Sequence, residues 1–504
     1  MQPGAGGAGQ GATSNRGILT ACVMLATIMQ ALDTTIANVA TPYMQGSLSA
    51  TQDQVNWVLT SYIVASAIMM PVTGFLAGRV GRTRLFLVTV AGFTAASVLC
   101  GAAQTLEQMV LFRLLQGVFG APLVPMSQSV LLDSYPREKH GSAMALWGMG
   151  VMVGPILGPT LGGWLTEAYG WRWVFYINLP VGVLTFIGLS AVLTESKRQA
   201  RRFDWLGFLA LSLGIGALQM LLDRGELLGW FDSAEVMLEA ALALLGFYVF
   251  IVHSLTHPAP FIDINLFRDR NFTVGLMLIF MVGVILLATL ALLTPYLQHM
   301  MGYPIVTAGL VMGPRGIGTM VAMVIIGRIV GRVDPRILLM IGLLLSAWSL
   351  HVMAGFTPDV AASTLVMNGV IQGLGLGFMF LPLSTITFAT LRPELRTQGT
   401  ALFSLARSMG SAIGISLVIF MLARNTQVAH AELSALVTPF SAGMADPALR
   451  AGWDLATVAG RLALNAEITR QATIIAYAND FRLMTWVALL AMPMVFLLRR
   501  ARPR

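Results

Sequence analysis

A polytopic, all-α membrane protein is the fold class this sequence predicts: two six-helix bundles with two further helices inserted between them. Three observations predict it. Of 504 residues, 56% are hydrophobic and only 11% charged, with a mean hydropathy of +0.76. Soluble domains carry about 25% charged residues, so lipid must solvate most of this surface. Second, apolar runs of about 20 residues, the length that crosses a bilayer, recur about 14 times. Third, Lys and Arg fall in alternate linkers, the pattern that sets membrane orientation.

The runs lie near 17–40, 54–77, 84–104, 106–132, 140–166, 172–193, 203–222, 233–254, 272–298, 305–330, 336–356, 360–390, 395–422 and 480–498. Ahead of them, the Gly-rich residues 1–16 read as a cytoplasmic tail. The run that follows exceeds the roughly 7–15 residues of a signal h-region, so it reads as an uncleaved first span. The segments expected on the inner face hold Arg16; Arg79, Arg82 and Arg84; Arg137 and Lys139; Lys197, Arg198, Arg201 and Arg202; Arg268 and Arg270; Arg328, Arg332 and Arg336; Arg392 and Arg396; and Arg499, Arg500, Arg502 and Arg504. The short outer loops 41–53, 299–304 and 357–359 hold no Lys or Arg. Both termini, 499–504 included, are therefore expected in the cytoplasm. The net charge of +8 is accounted for by this topology, and a nucleic-acid partner is excluded.

Organisation follows from a repeat. "GFLAGRVGRTRLF" follows the second run and "IIGRIVGRVDPRIL" the tenth, each after the second helix of a six-span unit. The units are 17–193 and 272–498, separated by two inserted spans and linkers at 194–271. Internal symmetry of this kind marks secondary transporters, whose site lies between the repeats. Residues 423–479 form a long outer connection, expected to carry a helix outside the membrane with an N-cap-like Asp446-Pro447. Cys22 and Cys100 lie inside apolar runs and read as small packing residues.

Charged residues inside spans carry the chemistry. Asp33, in "MQALDTTIANVATP", lies 16 residues after Gly17, or about 24 Å along a helix. A carboxylate in hydrocarbon costs roughly 2.5–3.5 kcal/mol on insertion scales and is functional by default. Burial favours its neutral form, which suits a proton carrier; the alternative is a structural, hydrogen-bonded Asp. Arg113 would favour ionised Asp33 when paired and its protonation when separated, or else would snorkel to the membrane edge. Arg315 and Arg407 fall in the second unit, with Arg407 nearer mid-span. Such an arginine would attract an anionic substrate group or bond a backbone carbonyl.

The fifth run carries Gly154, Pro155, Gly158, Pro159, Gly162 and Gly163, two Gly-Pro steps one turn apart that suit a kinked sealing helix. With the 30 methionines of an adaptable surface, Gln30, Asn38, Gln116, Trp147, Gln372 and Arg407 are the expected substrate pocket. Asn178, beside Pro180, Trp171, Trp173 and Tyr176, reads as an interfacial anchor. The six His are scattered and no Walker motif occurs, so no metal, cofactor or ATP-driven step is expected.

These segments resemble the fourteen-span drug–proton antiporter branch of the major facilitator superfamily. "LDTTIANVA" is similar to its first-helix motif, "GFLAGRVGRTR" (74–84) to the loop motif, "LFRLLQGVFGA" (111–121) to the fourth-span Arg motif, and "GVMVGPILGPTLGGWL" (150–165) to the fifth-span antiporter motif. "WRWVFYINLPVG" (171–182) resembles the entry to its sixth span. The resemblance implies the major facilitator fold, coupling by Asp33 and Arg113, and gating at Gly74, Arg79, Gly81, Arg82 and Asp133 together with the fifth-span glycines and prolines. The motif's usual acid is replaced by Gly78, so the relay's first carboxylate is missing and Arg82 and Asp133 remain to pair. "RQATIIAYANDF" (470–481) resembles permeases of Gram-negative tripartite pumps, implying a multi-pass bacterial inner-membrane protein. It also implies a periplasmic adaptor at 423–479 and an outer-membrane channel. The expected function is proton-driven efflux of hydrophobic or amphipathic toxic compounds across the lipid bilayer. The alternatives are export of a narrow substrate, such as a fatty or aromatic acid, and a membrane enzyme.

Overall fold

The computed structural model describes residues 16–136, 139–193, 203–258, 260–330, 332–437, 453 and 455–499, and among these all regular structure is helical. The first group comprises α1 (Arg16–Ser47), α2 (Gln52–Met69), α3 (Val72–Val80), α4 (Arg82–Ala102), α5 (Leu106–Gly120), α6 (Leu123–Ser134), α7 (His140–Tyr169), α8 (Trp173–Tyr176) and α9 (Asn178–Val192). The inserted pair is α10 (Trp205–Arg224) and α11 (Ala234–Thr256), followed by the short α12 (Asn265–Arg268). The second group comprises α13 (Arg270–Pro295), α14 (Ile305–Ile329), α15 (Pro335–Met353), α16 (Ala362–Ala389), α17 (Arg396–Leu436) and α18 (Val458–Val495).

Local chemistry sets these boundaries. Thr51 caps α2 in a reciprocal box with Gln54, which satisfies two of the amides a helix start leaves unpaired. Thr105, Asp269, Asp334 and Thr457 cap α5, α13, α15 and α18 through side-chain oxygens. At Pro71, which offers no N–H, the second span bends by 58° between α2 and α3. Gly81, at φ 98°, ends α3 in a conformation that a side chain would strain.

Among the described residues, 12 helices are long and apolar enough to cross a membrane, and the bent pair makes 13. The 30-residue α7, at about 45 Å, is also long enough, which is compatible with the expected fourteen. The side chains of Pro155 and Pro159, to which the expected kinks were assigned, lie outside the described residues.

Within the first group, α1 packs on α6, α7 and α9, and α5 on α2 and α4. In the second, α13 packs on α17, α16 on α14 and α15, and α18 on α15 and α17. Between the groups α7 meets α14 and α6 meets α17, while α10 rests against α2 and α17. A Cβ at Gly154 would run into the Ala31 carbonyl, and one at Gly158 into Thr35. Thr35 donates a hydrogen bond to the Gly154 carbonyl at 3.0 Å. The glycine stripe of α7 thus presses against α1 around Asp33.

The basic ends of the two groups are joined. Asp133 pairs with Arg82 and, through its other oxygen, with Arg396 at 2.7 Å. The Ser129 and Thr397 hydroxyls lie 3.0 Å apart, and Thr400 donates to the Pro125 carbonyl at 3.1 Å. A Cβ at Gly74 would come within 2.7 Å of the Gln398 backbone. Arg79 is exposed. Asp133 is therefore shared by two arginines, one from each group, and Arg396 is a partner that the sequence reading placed only in a basic linker.

The long outer connection differs from expectation. Its first residues continue α17 and its last belong to α18, so no separate helix is seen among the described residues. At 41 and 38 residues, the two run about 60 and 57 Å against a hydrocarbon core of about 30 Å. Asn425 donates to Asp480 at 2.9 Å, and His430 and Asn465 lie 3.0 Å apart; these bonds tie the extensions together. Asp446 and Pro447 lie outside the described residues.

Two outcomes are expected. Gly154→Val, which must push α1 from α7 at about 1–3 kcal/mol, lowers the melting temperature in detergent, whereas Gly163→Ala, with nothing within 4 Å of the new Cβ, does not. Arg396→Ala raises maleimide labelling of an Ala401→Cys probe severalfold in a background lacking Cys22 and Cys100; unchanged labelling would mean that the Asp133 pairs do not hold this end shut.

Candidate functional site

Five segments of the first group converge on Asp33. Its carboxylate is fully buried in α1. One oxygen accepts from Arg113 Nη1 at 2.7 Å, and the other from Gln116 Nε2 at 2.8 Å and Asn178 Nδ2 at 3.1 Å. Arg113 and Gln116 lie three residues apart on α5, which puts them on one helix face. Arg113 is 1% exposed; its Nε donates to the Val58 carbonyl at 3.0 Å and its Nη1 also to Gln116 Oε1 at 2.7 Å. The guanidinium lies 4.4 Å from the Tyr62 ring centroid and 5.6 Å from that of Phe175. Two fully enclosed charges are expensive unless paired and hydrogen-bonded, and here each has further partners.

A second layer fixes the first. Ser97 donates to the Phe175 carbonyl at 2.9 Å and accepts from Asn178 at 2.9 Å. Gln30 donates to the Tyr62 hydroxyl at 3.3 Å, and the Cys100 thiol lies 3.5 Å from Gln116 Oε1. Chemically, the arrangement satisfies the Asp33 carboxylate with three donors, and Arg113 is its one charged partner among them.

Sequence reasoning missed Asn178, Ser97, Tyr62 and Cys100. Asn178 was read as an interfacial anchor, yet it is 3% exposed and bonds Asp33. Its aromatic neighbours suggested the membrane surface, and no signal in sequence spacing marks its direction. Arg113 does not snorkel.

The other expected pocket residues are dispersed. Trp147 is buried in α7 and stacks on Phe380 of α16 at 5.7 Å, across the two groups. Gln372 is buried in α16 and donates to Thr289 at 3.3 Å, its Oε1 without a partner. Asn38 is exposed and Arg407 partly exposed. Gln116 belongs to the carboxylate network rather than to a separate pocket.

Arg315 is the more enclosed arginine of the second group, at 6% exposure. Its Nη2 donates to the Leu286 carbonyl at 3.1 Å, while Nη1 has no partner. It borders a cavity of about 10 Å³ whose other walls include Leu293, Leu297, Met312 and Phe356, room for about one water. Asp480 of α18 is a second fully buried carboxyl; one oxygen accepts from Asn425 and the other has no partner.

Residues 23–426 match the model of the Major Facilitator Superfamily. The chain is 39% identical to the multidrug export protein EmrB of Escherichia coli K12, over 84% of this chain and 83% of that protein. It is 37% identical to the fatty acid resistance protein FarB of Neisseria gonorrhoeae, over 95% of each. Among solved structures, the fold is similar to the proton:xylose symporter XylE bound to 6-bromo-6-deoxy-D-glucose, with a TM-score of 0.63 at 13% identity and 96% of each chain covered. This all-helical, multi-pass membrane chain belongs to the major facilitator superfamily.

Proposed function

We propose that the chain is a proton-driven exporter of hydrophobic or amphipathic toxic compounds. The observation that carries this reading is the enclosed Asp33–Arg113 pair, an oppositely charged couple at 2.7 Å and almost wholly shielded from solvent. The relatives named for multidrug export and, as a probable function, multidrug resistance support the substrate class. The chain sits in the inner membrane of a bacterium with both termini, and hence the basic end, in the cytoplasm.

With that end held shut by Asp133, Arg396 and Arg82, a proton arriving from the outer side neutralises Asp33 and frees Arg113. The units 17–193 and 272–498 then rock about the interface between them, where Trp147 stacks on Phe380, and this movement would gather the now dispersed Gln30, Trp147, Gln372 and Arg407 around the substrate. Opening to the cytoplasm releases the proton as the substrate enters. The α17 and α18 extensions stand beyond the membrane, where a periplasmic adaptor would grip them and lead to an outer-membrane channel.

Uncoupler-sensitive dye efflux tests the coupling. Asp33→Asn leaves Arg113 buried without its counter-charge, a change that costs about 3–5 kcal/mol, so insertion and folding are checked first by detergent size exclusion. In correctly folded protein, Asp33→Asn abolishes efflux, and Asp33→Glu retains a fraction of it with the same uncoupler sensitivity. Undiminished efflux in Asp33→Asn would move the proton site elsewhere.

A second reading, export of a fatty acid, is favoured by Arg315. A buried guanidinium with an unpartnered Nη1 beside apolar walls is what a lipophilic anion would seek, and one relative is named for fatty acid resistance. On this reading Arg315→Gln lowers resistance to long-chain fatty acids at least tenfold while leaving efflux of a cationic dye unchanged; equal loss of both would make Arg315 structural.

A further inference from the structure

Outside the membrane-buried network, the fold assembles Asp204, which caps the start of α10, with His253 and His257, one turn apart at the end of α11. The two His were counted as scattered from sequence. Their spacing, in "HSLTH" (253–257), puts both rings on one helix face, with ring centroids 4.8 Å apart. One ligand atom from each of the three residues lies within 4.8 Å of the others. We propose that these three side chains form a binding site for a divalent transition ion of the zinc class at the basic end of the inserted helix pair.

The donor set is two imidazole nitrogens and one carboxylate, which suits zinc, cobalt or nickel and leaves one tetrahedral position for water. The carboxylate is already fixed as a ligand would be. Its Oδ1 accepts from the Gly207 amide at 2.9 Å and its Oδ2 from the Phe261 amide at 3.0 Å; outer hydrogen bonds of this kind orient metal ligands.

His253 Nε2 lies 2.8 Å from Asp204 Oδ1, within hydrogen-bond distance. Two ligand atoms about 2.0–2.1 Å from a tetrahedral ion stand about 3.3 Å apart. An ion between Asp204 and His253 therefore needs that pair to open by about 0.5 Å, with the His257 ring closing in from within 4.8 Å. His257 is exposed and gives the ion its way in. An ion here would join the first turn of α10, the last turn of α11 and the linker at Phe261, whose carbonyl accepts from Gln398 of α17 at 3.0 Å.

The test uses the full-length protein in detergent, purified without a histidine tag and titrated with cobalt(II), then with zinc as competitor. One equivalent of cobalt is expected to develop the visible bands of tetrahedral coordination, and zinc to bleach them. His253→Ala and His257→Ala each weaken binding at least tenfold, while His430→Ala, at the other end of the molecule, does not. His257→Ala keeps the His253–Asp204 contact, so a monodisperse His257→Ala protein that still binds cobalt like the wild type overturns the site. So does a wild type that develops no tetrahedral bands, which would leave His253 and Asp204 as an ordinary ion pair.

Discussion

The buried pair of Asp33 and Arg113 is the constraint to which the first bundle is built. Removing two charges from water costs several kcal/mol per ion, and their attraction alone does not repay it without further hydrogen bonds. Those bonds come from separate helices: Gln116 from α5, Asn178 from α9, and the Val58 carbonyl from α2. Tyr62 and Phe175 cover the guanidinium faces. Each partner fixes the approach of its helix to α1. Close approach on the remaining side depends on small residues, and the glycines of α7 at 154, 158 and 162, against Ala31, Thr35 and Ile36, provide it.

Much of the architecture was legible because the bilayer imposes it. Span length, apolarity and the alternation of basic linkers are direct physical requirements, and the run boundaries follow the helices closely except at α17 and α18, which extend well beyond their apolar runs. Within the site, Asp33 and Arg113 stood out as charges amid apolar runs, and Gln116 lay three residues from Arg113. What stayed hidden is direction. Asn178 lies among interfacial aromatics, and only its side-chain orientation turns it inward to Asp33. Arg396 looked like one more linker arginine, because a basic residue near a membrane surface is expected on topology alone. Its partner Asp133 is 263 residues away. Asp204, His253 and His257 were equally opaque, since the contact depends on how α10 packs on α11.

The missing acid at Gly78 takes a different form in the folded chain. Arg82 still has Asp133, and Asp133 gains Arg396 from the opposite group. The Asp133–Arg82 pair is partly exposed, at 27% and 29%, so it is screened and worth only about 0–1 kcal/mol, while the Arg396 side chain is more enclosed, at 10%. In the proposed latch the Arg82 pair would be the readily opened half. The hydroxyl contacts of Ser129 and Thr400, both buried, add to it without making it rigid.

Arg113 of the carboxylate network and Asp133 are 20 residues apart along α5 and α6, about 30 Å of helix, and two elements span the distance. Helix α6 touches α1 through the Ser127 hydroxyl, which donates to the Val23 carbonyl at 3.3 Å, and touches α17 through Ser129. Helix α7 meets α1 along its glycine stripe and meets α14 with a different set of positions, where Gly141, Ala145 and Gly148 face Val330, Gly327 and Met323. Packed interfaces with backbone-to-backbone contact transmit displacement rather than absorb it. A shift of α1 would therefore move α6, α7 or both. Either movement reaches the opposite bundle at the end where Asp133 holds Arg396. On the proposed reading, coupling would need no wire of charged residues between the two sites; it would need only that α1 does not move alone.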